Sequence, residues 1–363
     1  MRPVPQEALR SPLAARPPLS NHPRMLRTPR VTASRAALPL AALALTVVGC
    51  AAPEYGVEYR GATLDVVDMH LHFGEWEAIP PATRRFLAGN FPFPLGLNAE
   101  STASSSVSGE GILGQLDGAG IRRGVLFAVY APRSVGVATN EQAITERQAD
   151  PDRLYALGSL RFDNWAEDGP AQIDALRAVL SEPGFIGIKL AHAHQHIRFD
   201  DPAFFSVYEV AAEFDVPVYL HTGRSPFNGT SQEAPYTDAA FLEDAIAAFP
   251  TVPFILGHLG HDFEPDFTEP LDTVLDLAEQ YDNVLLEPSA LGDEDGFRLP
   301  YAMEQIHQRG LVERTIYGSD GPQSPGFVGR YLGDALEAME AADYSVEEAA
   351  AVLAGNFDRE FLE

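Results

Sequence analysis

From Leu64 onward, short apolar runs alternate with longer amphipathic stretches. The apolar runs predict strands at 64–72, 122–130, 154–161, 185–191, 216–221, 252–258, 283–289 and 314–319. The stretches between them predict helices near 109–119, 140–149, 170–182, 202–214, 238–249, 269–281, 299–310 and 328–342. Pro217 and Pro253 open two of the apolar runs, where a missing N–H is tolerated. Gly169-Pro170 and Asp201-Pro202 predict helix starts with proline in the first turn. Eight strand–helix alternations point to an α/β fold, a parallel (β/α)8 TIM barrel. An open, doubly wound sheet is the alternative. No glycine-rich phosphate fingerprint follows the first run, which argues against dinucleotide binding.

Four of these runs end in residues able to hold a metal. The first closes Asp68-Met69-His70-Leu71-His72, the fifth in His221, the sixth in His258 and the eighth in Asp320. With period-two alternation, Asp68, His70 and His72 share parity and are expected to face the barrel interior together. In a closed barrel the strand ends ring one mouth, so residues some 250 positions apart become neighbours. His70, His72, His221 and Asp320 then supply the N/O donors of a catalytic metal site at the C-terminal mouth. One divalent ion is expected, zinc first, with manganese or iron also compatible with such donors. Asp320 is expected both to bind the metal and to accept a proton, with His258 opposite for proton transfer or for polarising a substrate oxygen.

Other residues near the mouth carry open readings. Lys189 is expected to bind a substrate carboxylate or to pair with a barrel carboxylate; a carbamylated Lys189 bridging a second metal is the less favoured alternative. Arg224 is a candidate clamp for a substrate carboxylate or a surface ion pair. His192, His194 and His196 read as a polar loop at the mouth, with His192 offered to substrate, or as a second metal site. Glu287 is expected to hydrogen-bond a ligand histidine or to partner Lys189. Residues 73–108 form a long Pro-, Phe-, Gly- and Ser-rich connection, readable as a lid over the site or as an irregular insertion.

The N-terminal part has a different pattern. Arg24, Arg27, Arg30 and Arg35 precede an apolar run, 36–48, that is short for a membrane span, then Val47-Val48-Gly49-Cys50. Residues 1–49 are expected to be a signal peptide, with Met25 as an alternative start. Cys50 is the chain's single cysteine, so no intramolecular disulfide is possible. Residues 50–60 are expected to be a tether and 61–363 the barrel domain. The segment 1–49 holds seven of the 25 basic residues and one of the 52 acidic ones, which leaves a net charge of −33. Such a surface excludes nucleic acid as a partner and disfavours anionic membrane faces.

Here the motifs carry a family resemblance. Asp68-Met69-His70-Leu71-His72, Gly187-Ile188-Lys189-Leu190, Val218-Tyr219-Leu220-His221-Thr222-Gly223, Gly257-His258-Leu259-Gly260 and Tyr317-Gly318-Ser319-Asp320 follow in barrel order. Together with the tail Leu353–Phe361, they resemble the amidohydrolase superfamily, specifically its amidohydrolase-related branch. The resemblance implies a metal-dependent hydrolase or a nonoxidative decarboxylase. It implies His70, His72, His221 and Asp320 as ligands and His258 as the proton-transfer or substrate-polarising residue. Val-Val-Gly-Cys in turn resembles a bacterial lipobox, which implies acylation of Cys50 and export to the cell envelope, with Ala51 leaving inner against outer membrane open.

The leading expectation is a hydrolase acting on an amide, ester or lactone of a small molecule. A decarboxylase of a small, aromatic or other carboxylic acid is the runner-up, and a non-catalytic binding barrel the third reading. Membrane contact is expected through the lipid alone. Oligomeric state is not legible.

Overall fold

The structure, a computed structural model, describes residues 55–89, 98–261, 267–292 and 296–362. The expected signal peptide 1–49, the alternative start Met25 and Cys50, the expected site of acylation, lie outside the described residues. Seven parallel strands form one curled sheet: β1 (Val67–His72), β2 (Arg123–Phe127), β3 (Leu154–Gly158), β4 (Phe185–Leu190), β5 (Val218–His221), β6 (Phe254–Gly257) and β7 (Val284–Glu287). Each pairs with its sequence neighbours. The eighth run closes the ring without becoming a regular strand. Thr315 bridges Leu286 of β7, and Gly321 bridges Leu71 of β1. Backbone bonds from Ile316 N to Leu286 O (2.9 Å) and from Met69 N to Tyr317 O (3.1 Å) complete the seam. The (β/α)8 barrel predicted from the alternation is the fold observed.

Alternation sorts the strand side chains into two cores. Ile188, Leu190, Val218, Leu220, Phe254, Leu256, Val284 and Leu286 face the surrounding helices. Val67, Met69, Val125, Phe127, Leu157, Tyr219, Ile255, Leu285 and Ile316 fill the barrel interior, with Phe357 of the C-terminal helix Asn356–Phe361. Asn356 fastens that helix by donating to Val312 O (2.8 Å) and Thr315 O (2.7 Å).

Strand β1 breaks the expected parity. Val67 and Met69 point inward, yet Leu71 belongs to the outer core, and the β1–β2 register shifts between Asp68 and Leu71. A bulge of this kind re-aims side chains at a barrel rim. It turns His70 and His72 into the mouth and leaves Asp68 on the opposite face. The expectation that Asp68 shares the interior with the two histidines is therefore corrected.

Three other boundaries differ from expectation. The tether ends early: Val57–Tyr59 pairs antiparallel with Ala62–Leu64, and the buried Tyr59 donates its hydroxyl to Tyr344 O (3.0 Å). The helix expected from Pro170 begins at Trp165, with Pro170 at its sixth position. Residues 73–108 contain three short helical pieces, Trp76–Ala78, Pro81–Gly89 and Ala99–Ser106, which share a small apolar cluster around Trp76 and Ala103.

Candidate active site and metal centre

At the end of β1, His70 Nε2 and His72 Nε2 approach to 3.1 Å. Asp320 Oδ1 completes a triangle, 2.9 Å from His72 Nε2 and 3.2 Å from His70 Nε2. Three donor atoms converging this closely from two ends of the chain are what three ligands of one ion require.

The hydrogen bonds beneath His70 settle its tautomer. The hydroxyls of Tyr219 and Ser289 both donate to Glu287 Oε2, each at 2.8 Å. With those protons committed, both hydroxyl oxygens face His70 Nδ1, at 3.0 Å, as acceptors. Nδ1 therefore carries the ring proton, and Nε2 offers a bare lone pair to the triangle. His258 is fixed the same way, with Nδ1 3.0 Å from Ser289 Oγ and 3.3 Å from Ser289 O. Burial keeps both imidazoles below their ordinary pKa, hence neutral. His70, His258 and Glu287 also lie close enough to form a second donor group. Of their facing atoms, the two Nδ1 atoms and Glu287 Oε2 are engaged by Ser289 and Tyr219, while Glu287 Oε1 has no hydrogen-bond partner; we read that group as scaffolding.

Two glycines make room for this network. A Cβ on Gly257 would fall 1.8 Å from the Tyr219 hydroxyl, and one on Gly318 would fall 2.1 Å from Glu287 Oε1. Behind Asp320, the displaced Asp68 accepts from Ser319 N (2.9 Å), Ser319 Oγ (2.6 Å) and His70 N (3.1 Å). Asp68 thus ties β1 to the eighth run and sets Asp320 beside the histidines. Burial pushes the Asp68 carboxyl up to about 7 against those hydrogen bonds. For Asp320, burial is outweighed by the adjacent His70 and His72, which hold it below the usual carboxylate range. Asp320 and His258 both adopt left-handed backbone, with φ of 63° each, a conformation concentrated at functional sites.

His221 stands apart from the triangle and is absent from the close donor groups among the described residues. Its ring lies 4.4 Å from that of His258 and 4.8 Å from that of His194, and its buried Nε2 has no hydrogen-bond partner. A buried imidazole nitrogen left without a partner is costly, and an ion beside the triangle would satisfy it. The donor set, two oriented imidazoles, a carboxylate and this orphaned nitrogen, fits a divalent metal.

The triangle opens into a cavity of about 580 Å³, within the range of small-molecule sites. Lys189, Arg224, His194, His221 and His258 line it beside His72 and Asp320. His192 does not; its ring packs on Phe199, 4.2 Å away, and its Nδ1 has no partner. The residue from that run at the cavity is His194, whose Nδ1 meets Ser134 Oγ at 2.8 Å. His196 turns outward to Gly229 O. The run thus presents His194 to the cavity where His192 was expected, because it forms a short helix (His192–Gln195) in place of an extended strand. Glu287 Oε1 stands 3.5 Å from His70 Nδ1 without a hydrogen bond; Glu287 is linked to that histidine through the Tyr219 and Ser289 hydroxyls, and it makes no ion pair with Lys189.

The cavity's outer wall comes from beyond the barrel strands. Ile79, Phe86, Leu87 and Val107 come from residues 73–108, and Val129, Val135 and Val137 from the hairpin Val129–Ala131/Gly136–Ala138. Thr83 Oγ1 donates to Ser134 O (2.5 Å) and ties the two segments together. The described residues of this segment, 73–89 and 98–108, therefore contribute to the wall. Sequence reasoning missed Tyr219, Ser289, Ser319 and this hairpin. The glycines ahead of His258 and Ser319 were the readable sign of crowding.

No curated protein matches the chain. Among solved structures, an uncharacterized TIM-barrel protein from Bordetella bronchiseptica superposes with TM-score 0.60 and 19% identity, over 82% of this chain and 98% of that one. A probable 2-pyrone-4,6-dicarboxylic acid hydrolase from Acinetobacter baumannii gives 0.56 and 16%, over 82% and 99%. A 5-carboxyvanillate decarboxylase from Novosphingobium aromaticivorans, complexed with manganese and a nitrobenzoic acid, gives 0.57 and 17%, over 82% and 96%. These likenesses agree with the barrel. The amidohydrolase family model matches residues 67–356, most of the chain and every residue of the site, and the chain belongs to the amidohydrolase family.

Proposed function

We propose that this chain is a metal-dependent hydrolase that cleaves an amide, ester or lactone bond of a small molecule. The observation that carries the reading is the triangle of His70 Nε2, His72 Nε2 and Asp320 Oδ1 at the floor of the cavity. A single divalent ion, zinc first and manganese or iron next, would be held by these residues with His221. Such an ion, when bound, polarises a substrate oxygen and brings the pKa of a bound water to about 7. Asp320, ionised beside the histidines, accepts the proton of the attacking water. Its Oδ2 is held by Gln323 Nε2 at 3.0 Å, which fixes the carboxylate plane. His258, with its proton committed on Nδ1, offers Nε2 to the reacting groups. Arg224 holds a carboxylate on the substrate, joined by Lys189 when its amine is protonated.

A second reading, nonoxidative decarboxylation, is favoured by a specific feature of the cavity. Phe73, Phe86, Phe227 and Phe327 line it together with the cations Arg224 and Arg330 and the amine of Lys189, which suits an aromatic carboxylate. The Novosphingobium relative is a decarboxylase. We also propose export and lipid anchoring through Cys50, supported by the Val-Val-Gly-Cys run. Among the described residues, no helix is long and apolar enough to cross a membrane. Labelling with a radioactive fatty acid, lost in Cys50→Ser, tests the anchor.

The activity is tested on purified chain with metal content measured first. About one ion per chain is expected, with turnover of esters, lactones or amides that chelation abolishes and metal restores. Release of carbon dioxide from aromatic carboxylates, without hydrolysis, would select the second reading. Absence of bound metal even after reconstitution would sink both.

A further inference from the structure

The chain meets 24 of its 25 basic positions with arginine and one, Lys189, with lysine. The two side chains differ most where water is absent. A guanidinium stays charged in any protein environment and needs acceptors for five N–H donors, whereas an amine sheds its proton when desolvated. Lys189 stands in such a place, on the inward face of β4 and 2% exposed. Its Nζ lies 3.9 Å from the centre of the Tyr219 ring and 4.8 Å from that of Phe127. Among the described residues no carboxylate pairs with it within 4.0 Å. It nevertheless borders the cavity. A buried amine between aromatic faces, at the wall of a substrate-sized cavity, is the setting of an activated nitrogen nucleophile. Burial brings its pKa down to about 7, with Asp320 and Glu287 pulling the other way.

We propose that Lys189 is a covalent capture site for a carbonyl compound, an aldehyde, ketone or 2-oxo acid that enters this cavity. The Nζ lone pair adds to the carbonyl carbon. The C–N bond forms, the two amine hydrogens leave with the carbonyl oxygen as water, and the imine takes a proton from solvent to become an iminium. Asp320 and Glu287 favour a cation at Nζ and so stabilise the iminium. The same two carboxylates oppose an anionic carbamate, the product of carbon dioxide addition at Nζ. This capability goes beyond hydrolysis and does not depend on it.

A single lysine makes the test direct. The full chain is incubated with pyruvate and, in parallel, with benzaldehyde, reduced with sodium cyanoborohydride, digested and mapped by mass spectrometry. One reduced adduct per chain is expected on the peptide bearing Lys189, and complete loss of it in Lys189→Arg and Lys189→Met. Repeating the reaction after chelation separates this proposal from the hydrolase reading, because the adduct is expected to persist without metal. No adduct, an adduct confined to the α-amino group, or a carboxyl-group mass on Lys189 of the untreated chain would each overturn the proposal. The wild-type map decides by itself, so a variant that fails to fold leaves the result readable.

Discussion

Two parts of the barrel mouth treat their polar groups differently. Beneath His70 and along the eighth run, hydrogen bonds account for Asp68, Ser319, Ser289, the Tyr219 hydroxyl of β5 and the Nδ1 atoms of His70 and His258, while Glu287 Oε1 and the Tyr317 hydroxyl have no hydrogen-bond partner. Around β4 and β5, Lys189 has no ion pair among the described residues and His221 Nε2 has no partner. Buried polar groups are normally satisfied, so a densely bonded network beside groups that border the cavity without such bonds is informative. The first part is a mount that fixes ligand atoms. The second sets the Lys189 amine and His221 at the wall of the cavity without such bonds.

The comparison breaks most visibly at the triangle. His70→Ala is expected to abolish stoichiometric metal binding while the circular dichroism spectrum stays that of the wild type. Asp320→Asn is expected to lower kcat by about 10²–10⁴-fold as a proton acceptor is lost. Full activity and full metal content in both variants would remove the assigned site.

The mount itself is tested one layer out. Glu287→Gln leaves the shape and removes the charge that orders Tyr219, Ser289 and His70. Metal affinity, titrated with a competing chelator, is expected to fall about 10–100-fold. An unchanged affinity would mean that the network does not set the His70 tautomer.

Asp68 couples the mount to stability. Asp68→Asn is expected to cost about 1–2 kcal/mol in denaturant unfolding, since it disturbs the bonds to Ser319. The pH dependence has a definite sign. The folded carboxyl titrates near 7, raised by burial, and the unfolded one near 3.9. Between about pH 4 and pH 7 the native chain keeps a proton that the unfolded chain has released. The Asp68 contribution to stability is therefore present at low pH and is lost as pH rises through that window. The Asn variant should flatten this part of the profile.

The smallest effect is expected at the rim. Thr83→Val removes the bond to Ser134 O and is expected to cost about 1 kcal/mol or less in stability. It should raise KM more than it lowers kcat, because it loosens a wall and leaves the ligand atoms in place. Equal changes in both would assign Thr83 a closer part in the chemistry.

Some of this was legible in the residues alone. Seven runs became strands within a few residues of their expected limits, because period-two alternation and flanking turns are local signals. His70, His72, His258 and Asp320 come together because each ends such a run, and a parallel barrel gathers strand ends at one mouth. Lys189 and Arg224 reach the same cavity for that reason.

The sequence by itself determined the barrel, its order of strands and the residue types at its mouth, since these follow from periodicity and composition along the chain. Tertiary structure alone decided which of those residues meet. The bulge in β1 sends Asp68 to Ser319 and away from the metal side, a result of how β1 registers against β2. The short helix at 192–195 exchanges His192 for His194 at the cavity. Tyr219, Glu287 and Ser289 converge under His70 because glycines on two other elements leave them space. Register, close approach and the spending of shared protons are properties of contacts between distant segments, and no local pattern encodes them.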